Sequence, residues 1–221
     1  KLQAKALFWG KFKRLIFPSM VFSLLYIILF MDITQPVTKT LYEIVNGVGH
    51  MWFLPMLFWC FAGVWIVEKL HVNMFLALSV CFLAALMPIS GLPLQLGKTM
   101  YYMFFFYAGY MIQRHDLKLD KLESSTANIL LIVGFLVLFP TLTVLKENVT
   151  AVMGGGKNQI VTSLVGIIRR LCQVIYSGVG ILMMLSITRR ALRNVSKPVP
   201  SWIIQVGSLC MGVYLLQQFI L

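Results

Sequence analysis

Apolar residues recur along the chain in long runs, each closed by charged or turn-forming residues. The runs are longer than the helices of a small soluble core require. Seven of them reach or approach the length that crosses about 30 Å of hydrocarbon: residues 15–33, 51–67, 72–89, 100–112, 128–145, 160–188 and 202–221. The fourth is the shortest, and Lys98 and Arg114 bound it with side chains long enough to snorkel to an interface. The sixth can be read from Ile160, which places Arg169 and Arg170 inside a long helix, or from Leu171, which places them ahead of it. The pattern predicts an all-α fold, a polytopic transmembrane helix bundle forming a single domain over residues 1–221.

Composition agrees with that reading. The 221 residues are 59% hydrophobic and 12% charged, which excludes an ordinary soluble domain. The net charge of +12 would suggest a nucleic-acid partner in a soluble protein. Here no nucleic acid is expected, because seven spans sort the loops by charge. Thirteen basic residues fall on one side, in 1–14, 114–121, 189–197 and at Lys69, against Lys39, Lys98, Lys146 and Lys157 on the other. Basic loops stay in the cytoplasm, so the amino-terminal end is expected there, with membrane lipid around the spans. No acidic residue falls at mid-membrane, which argues against a carrier built on intramembrane carboxylates. Cys60, Cys81, Cys172 and Cys210 sit in predicted spans without metal-ligand spacing and read as buried apolar thiols, so no metal is expected. The chain opens in a basic stretch and stops inside an apolar run, as expected for a portion of a longer bundle.

Four groups of residues could carry chemistry. Lys11 and Arg14 lie three apart before Leu15-Ile16-Phe17-Pro18, so on an α-helix they share a face and could grip phosphates together; a basic cluster ahead of a span also sets topology and holds anionic lipid. Gly47-Val48-Gly49-His50-Met51-Trp52 enters the second span, where His50 is a potential proton acceptor and Trp52 an interfacial aromatic. The pair reads either as an anchor or as part of a pocket that Gly47, Gly49 and Pro55 help to shape. Arg169 and Arg170 either snorkel at an interface or meet an anionic group of a substrate. In the last run, Gly207, Ser208 and Gly212 suit close helix packing, while Tyr214, Gln217 and Gln218 need polar partners within lipid.

The order of these motifs carries further information. Lys-x-x-Arg before Leu-Ile-x-Pro, Gly-His-x-Trp-Phe-Leu at 49–54, Phe-Phe-Phe-Tyr-Ala-Gly at 104–109 and Met-Gly-Val-Tyr-Leu-Leu at 211–216 together resemble the acyltransferase-3 family of integral membrane acyltransferases. The resemblance runs through nearly the whole chain. It implies transfer of an acyl group, an acetyl group foremost, from cytoplasmic acyl-CoA to a sugar hydroxyl of a cell-surface or secreted polysaccharide. The setting it implies is the inner (plasma) membrane of a bacterium. Acyl-CoA is then a co-substrate rather than a bound cofactor, and the acceptor a glycan or a lipid-linked saccharide. Lys11 and Arg14 occupy the positions of an Arg-x-x-Arg pair implicated in the acyl-CoA site. Lys11 keeps the charge of an arginine there but not its bidentate geometry.

The resemblance further implies an essential histidine on an amino-terminal helix that has no counterpart in these residues, and helices ahead of the first run. Gln217 stands where the family often has a histidine. His50 is then the catalytic candidate within the chain, and Trp52, Arg169, Arg170, Tyr214 and Gln217 are candidates for the acceptor. A transporter or flippase of a lipid-linked glycan, with Arg169 and Arg170 attracting a pyrophosphate, is the competing class.

Overall fold

The computed structural model describes residues 4–30, 36–87, 89, 92–115, 124–153 and 159–193. Among them the regular structure is entirely helical, with no strand. Four helical runs are long and apolar enough to cross a membrane: Phe8–Phe30, Gly49–Lys69, Ser125–Val149 and Ile160–Ala191. Large apolar side chains such as Leu25, Ile28 and Leu29 on the first run, and Ile129, Leu130, Val133 and Leu136 on the third, are exposed. Such faces are stable only against hydrocarbon, where the helix satisfies its own backbone. The chain is an all-α, multi-pass membrane protein. The expected last run, 202–221, lies outside the described residues, and Tyr214 and Gln217 with it.

The helices group into two compact units. The first holds α1 (Ala4–Lys11), α2 (Phe17–Phe30), α3 (Val37–Asn46), α4 (Phe53–Lys69) and the first turns of α6 (Leu96–Arg114). Between α1 and α2, residues Phe12–Ile16 form a π-turn, in which Phe17 N–H donates to Phe12 O. Pro18 explains the widening: it has no N–H for the Arg14 carbonyl, and its ring would strike that carbonyl in a regular α-turn. The first span therefore begins at Phe8, not at residue 15 as expected from the hydropathy pattern, and Lys11, Lys13 and Arg14 lie within the helical run rather than ahead of it. Hydropathy marks where ionisable side chains stop, whereas backbone hydrogen bonding decides where the helix starts.

α3 was not anticipated either. Its ten residues are too few to span, but Val37, Leu41, Ile44 and Val45 recur at helical spacing. Pro36 opens the helix and Gly47 closes it, with Gly47 N–H donating to Glu43 O. α4 is the most enclosed helix of this unit, burying Leu54, Pro55, Met56, Cys60, Ala62 and Val64. Its start packs with Leu15 and Met51, bordered by Phe22, Leu57, Phe58 and Phe61. Phe8 of α1 meets Trp65 edge-on at 5.1 Å.

The second unit holds α5 (Met74–Leu86), the rest of α6, α7 (Ser125–Met153) and α8 (Gln159–Arg193). α7 and α8 pack along one another, and α5 also meets α8. Gly180 lets the Phe135 ring approach closely, since a Cβ there would lie 3.0 Å from it, and Phe139 meets Tyr176 edge-on at 5.4 Å. Small residues serve helix contacts in this way inside lipid. Ser186 donates to Asn128 Oδ1 at 3.0 Å, a buried polar tie between the two helices. α5 has 13 residues, about 20 Å of helix, against the longer 72–89 expected. α6 has 19 residues where 100–112 was expected. The polar ends of α6 escape a hydropathy window but still propagate the helical hydrogen bonds.

Candidate functional site

The Gly-His-x-Trp motif forms a turn held from three directions within the first unit. Residues Gly49–Trp52 make one turn of 3-10 helix that feeds directly into α4. Gly47 and Gly49 both adopt positive φ, at +79° and +55°. The turn lies against α2, where Ser19 and Ser23 are completely buried. Ser19 donates to Met51 O at 3.3 Å, and Ser23 accepts from Val48 N–H at 3.2 Å. These serines are four apart on a lipid-crossing helix, where a hydroxyl needs a partner and the turn's unpaired backbone supplies it. Replacing Ser23 with alanine strands the Val48 N–H and is expected to cost about 1–3 kcal/mol. A clear fall in the thermal unfolding midpoint of the detergent-solubilised protein checks this, with Ser23→Thr as the conservative comparison.

The second support comes from α3 and the loop before α6. Asn46 is buried at the end of α3. Its Oδ1 accepts from Gln95 N–H at 3.2 Å, and its backbone carbonyl accepts from Gln95 Nε2 at 2.9 Å. Its own amide donates to Tyr42 O at 2.7 Å. The carbonyl is one that a helix end otherwise leaves unsatisfied. Leu94 and Gln95 carry φ of +57° and +58°, a left-handed conformation that side chains disfavour. Asn46 offsets that strain and fixes the entry into α6.

The third support is aromatic. From the first turns of α6, the Lys98 ammonium sits 4.0 Å from the centroid of the Trp52 ring, and Tyr102 lies 5.7 Å from Trp52 with the rings tilted by 33°. Trp52 is half-buried, whereas His50, Lys98 and Tyr102 are exposed. Partial burial holds the Lys98 amine below the usual lysine range. The indole of Trp52, a candidate for the acceptor, is thus engaged by a lysine. The turn therefore carries an exposed imidazole, a potential base, and holds on its tryptophan an ammonium, a potential anion-binding group.

The remaining candidates are placed differently. Lys11 and Arg14 were expected to share an α-helical face, but the π-turn that begins at Phe12 changes the spacing between them. Lys11 lays its ammonium on the Phe61 ring of α4, 3.6 Å from the centroid, while Arg14 is exposed. From Phe53, where the His50 turn enters α4, to Phe61, at Lys11, the helix rises about 12 Å. Lys11 is thus carried past the turn along α4, whereas Leu15, next to Arg14, packs on Met51 of the turn. Arg169 and Arg170 belong to the second unit. α8 starts at Gln159, so they lie about 15 Å inside a continuous helix rather than ahead of one; Arg169 is exposed and Arg170 half-buried.

Sequence reasoning overlooked Ser19, Ser23, Asn46, Gln95, Lys98 and Tyr102. For the two serines a signal was present in their spacing of four within an apolar run. For Asn46 and Gln95 none was, because their partners are 49 positions apart. Among the described residues no cluster of histidine, cysteine, aspartate or glutamate could hold a metal ion. Comparison with curated proteins and comparison with solved structures each returned no match. The family profile described as an acyltransferase domain matches residues 1–221. The whole length of the chain therefore belongs to the acyltransferase-3 family, and the protein is a membrane acyltransferase.

Proposed function

We propose that this membrane acyltransferase moves an acyl group, an acetyl group foremost, from acyl-CoA to a sugar hydroxyl of a cell-envelope glycan. The observation that carries the reading is the His50 turn, an exposed imidazole on a rigid mount in a chain whose family performs acyl transfer. The sugar oxygen attacks the thioester carbonyl, the carbon–sulfur bond breaks, and the hydroxyl proton passes to a base as the thiolate leaves. His50 is that base or its relay to one on a preceding helix. Lys11 and Arg14 bind the phosphates of the donor at the basic, cytoplasmic end. From there an extended pantetheine arm can run along α4 toward His50. Acyl transfer as the family activity favours this reading over a flippase built on Arg169 and Arg170.

Full-length protein in vesicles, given labelled acetyl-CoA and an envelope glycan, is expected to label the glycan. Reversing the charge with Arg14→Glu is expected to weaken acetyl-CoA binding by at least about tenfold, since it removes one charge-assisted contact and adds a repulsion. Unchanged binding would remove Arg14 from the donor site.

A further inference from the structure

We propose that Lys98 is the acceptor-recognition residue and that the acceptor is an anionic sugar, one that carries a carboxylate or a phosphate. The assignment rests on reading the His50 turn as the acceptor end, and deepens it. An interface accommodates a lysine at position 98, but neither the charge bias of the loops nor helix formation favours a cation there. It is the third residue of α6, where the helix dipole disfavours positive charge. The alternation of basic loops places it on the face poor in lysine and arginine, where it weakens the orientation signal rather than adding to it.

Its surroundings are nevertheless built. The Asn46–Gln95 hydrogen bonds hold two left-handed residues immediately ahead of α6 and so set where its first turn begins. That turn delivers the ammonium to the Trp52 ring at 4.0 Å, two residues from His50. A cation resting on an indole is oriented without being neutralised. Among the described residues Lys98 has no carboxylate partner, and it remains exposed. An ammonium fixed this way on the turn that carries a candidate base attracts an anion. A sugar bearing one would be held with a hydroxyl toward His50, while a neutral sugar would gain nothing from the charge.

The test uses full-length protein in vesicles of zwitterionic lipid, so that no anionic headgroup competes. Maltohexaose, its form oxidised to a carboxylate at C6 and its 6-phosphate are titrated calorimetrically against wild type, Lys98→Gln and Lys98→Arg. Wild type is expected to bind one or both charged forms about tenfold more tightly than the neutral one. Lys98→Gln is expected to bring the ratio to within about twofold, and Lys98→Arg to keep most of it. Equal or absent binding of all three sugars by wild type overturns the proposal, as does a charge preference that survives in Lys98→Gln. Labelled acetyl transfer is followed in parallel. A Lys98-dependent preference without transfer would sink the acylation reading alone, and transfer without charge preference would sink the Lys98 assignment alone.

Discussion

Replacing Gly47 with alanine is expected to destroy the His50 turn and most of the folded protein with it. Gly47 has φ +79° and ψ 119°, outside the regions open to residues with a side chain. A Cβ would also lie 2.6 Å from the Met51 carbonyl carbon, 2.7 Å from its oxygen and 2.7 Å from Trp52 N. All three are backbone atoms of the turn that carries His50, and Ser19 already holds the Met51 carbonyl against α2. The turn can yield only by breaking that contact. Backbone strain of about 1–3 kcal/mol and a clash of similar size together approach 4 kcal/mol, a large share of the stability a domain possesses. The measurement is the yield and thermal midpoint of detergent-extracted protein. Gly63→Ala is the comparison: its Cβ would meet only the flexible end of Met103, so a small effect is expected. Equal behaviour of the two variants would refute the argument.

The second large effect concerns chemistry rather than folding. His50→Ala is expected to lower acyl transfer to the glycan by about 10²–10⁴-fold, the range lost with a general base. The imidazole is exposed, and Ser19 and Ser23 hold the turn through the Met51 carbonyl and the Val48 N–H, backbone groups that the substitution leaves in place. Folding and acetyl-CoA binding should therefore persist, the latter depending on Lys11, at Phe61 about 12 Å along α4, and on Arg14 rather than on the imidazole. Wild-type transfer by His50→Ala would take His50 out of the reaction and leave the turn as a purely structural device. A variant that neither folds nor binds donor would instead show that the imidazole holds the turn.

These two substitutions show how unevenly the site can be read from the order of residues. His50 and Trp52 stand out because a histidine and a glycine-flanked turn are unusual at a span entrance. Lys98 does not, since a lone lysine before an apolar run is what an interface ordinarily holds. The Lys11–Arg14 pair was visible, but its geometry was misjudged. Spacing by three implies a shared face only on an α-helix, and Pro18, four residues after Arg14, widens that turn. α3 was missed because a search for spans is blind to a helix of ten residues.

What the sequence determined by itself is the class of the molecule and its solvent. Apolar content and run length are sums over neighbouring positions. A backbone in hydrocarbon must close its own hydrogen bonds, so long apolar runs leave the helix as the available solution. The family was legible for a related reason, since its motifs are short and keep their order. Only the tertiary structure decided which groups meet. Ser19 with Met51, Asn46 with Gln95 and Lys98 with Trp52 join positions 32 to 49 apart. Each is a pairing between polar or aromatic groups whose partner depends on how the helices dock, and no property of either residue alone names the other.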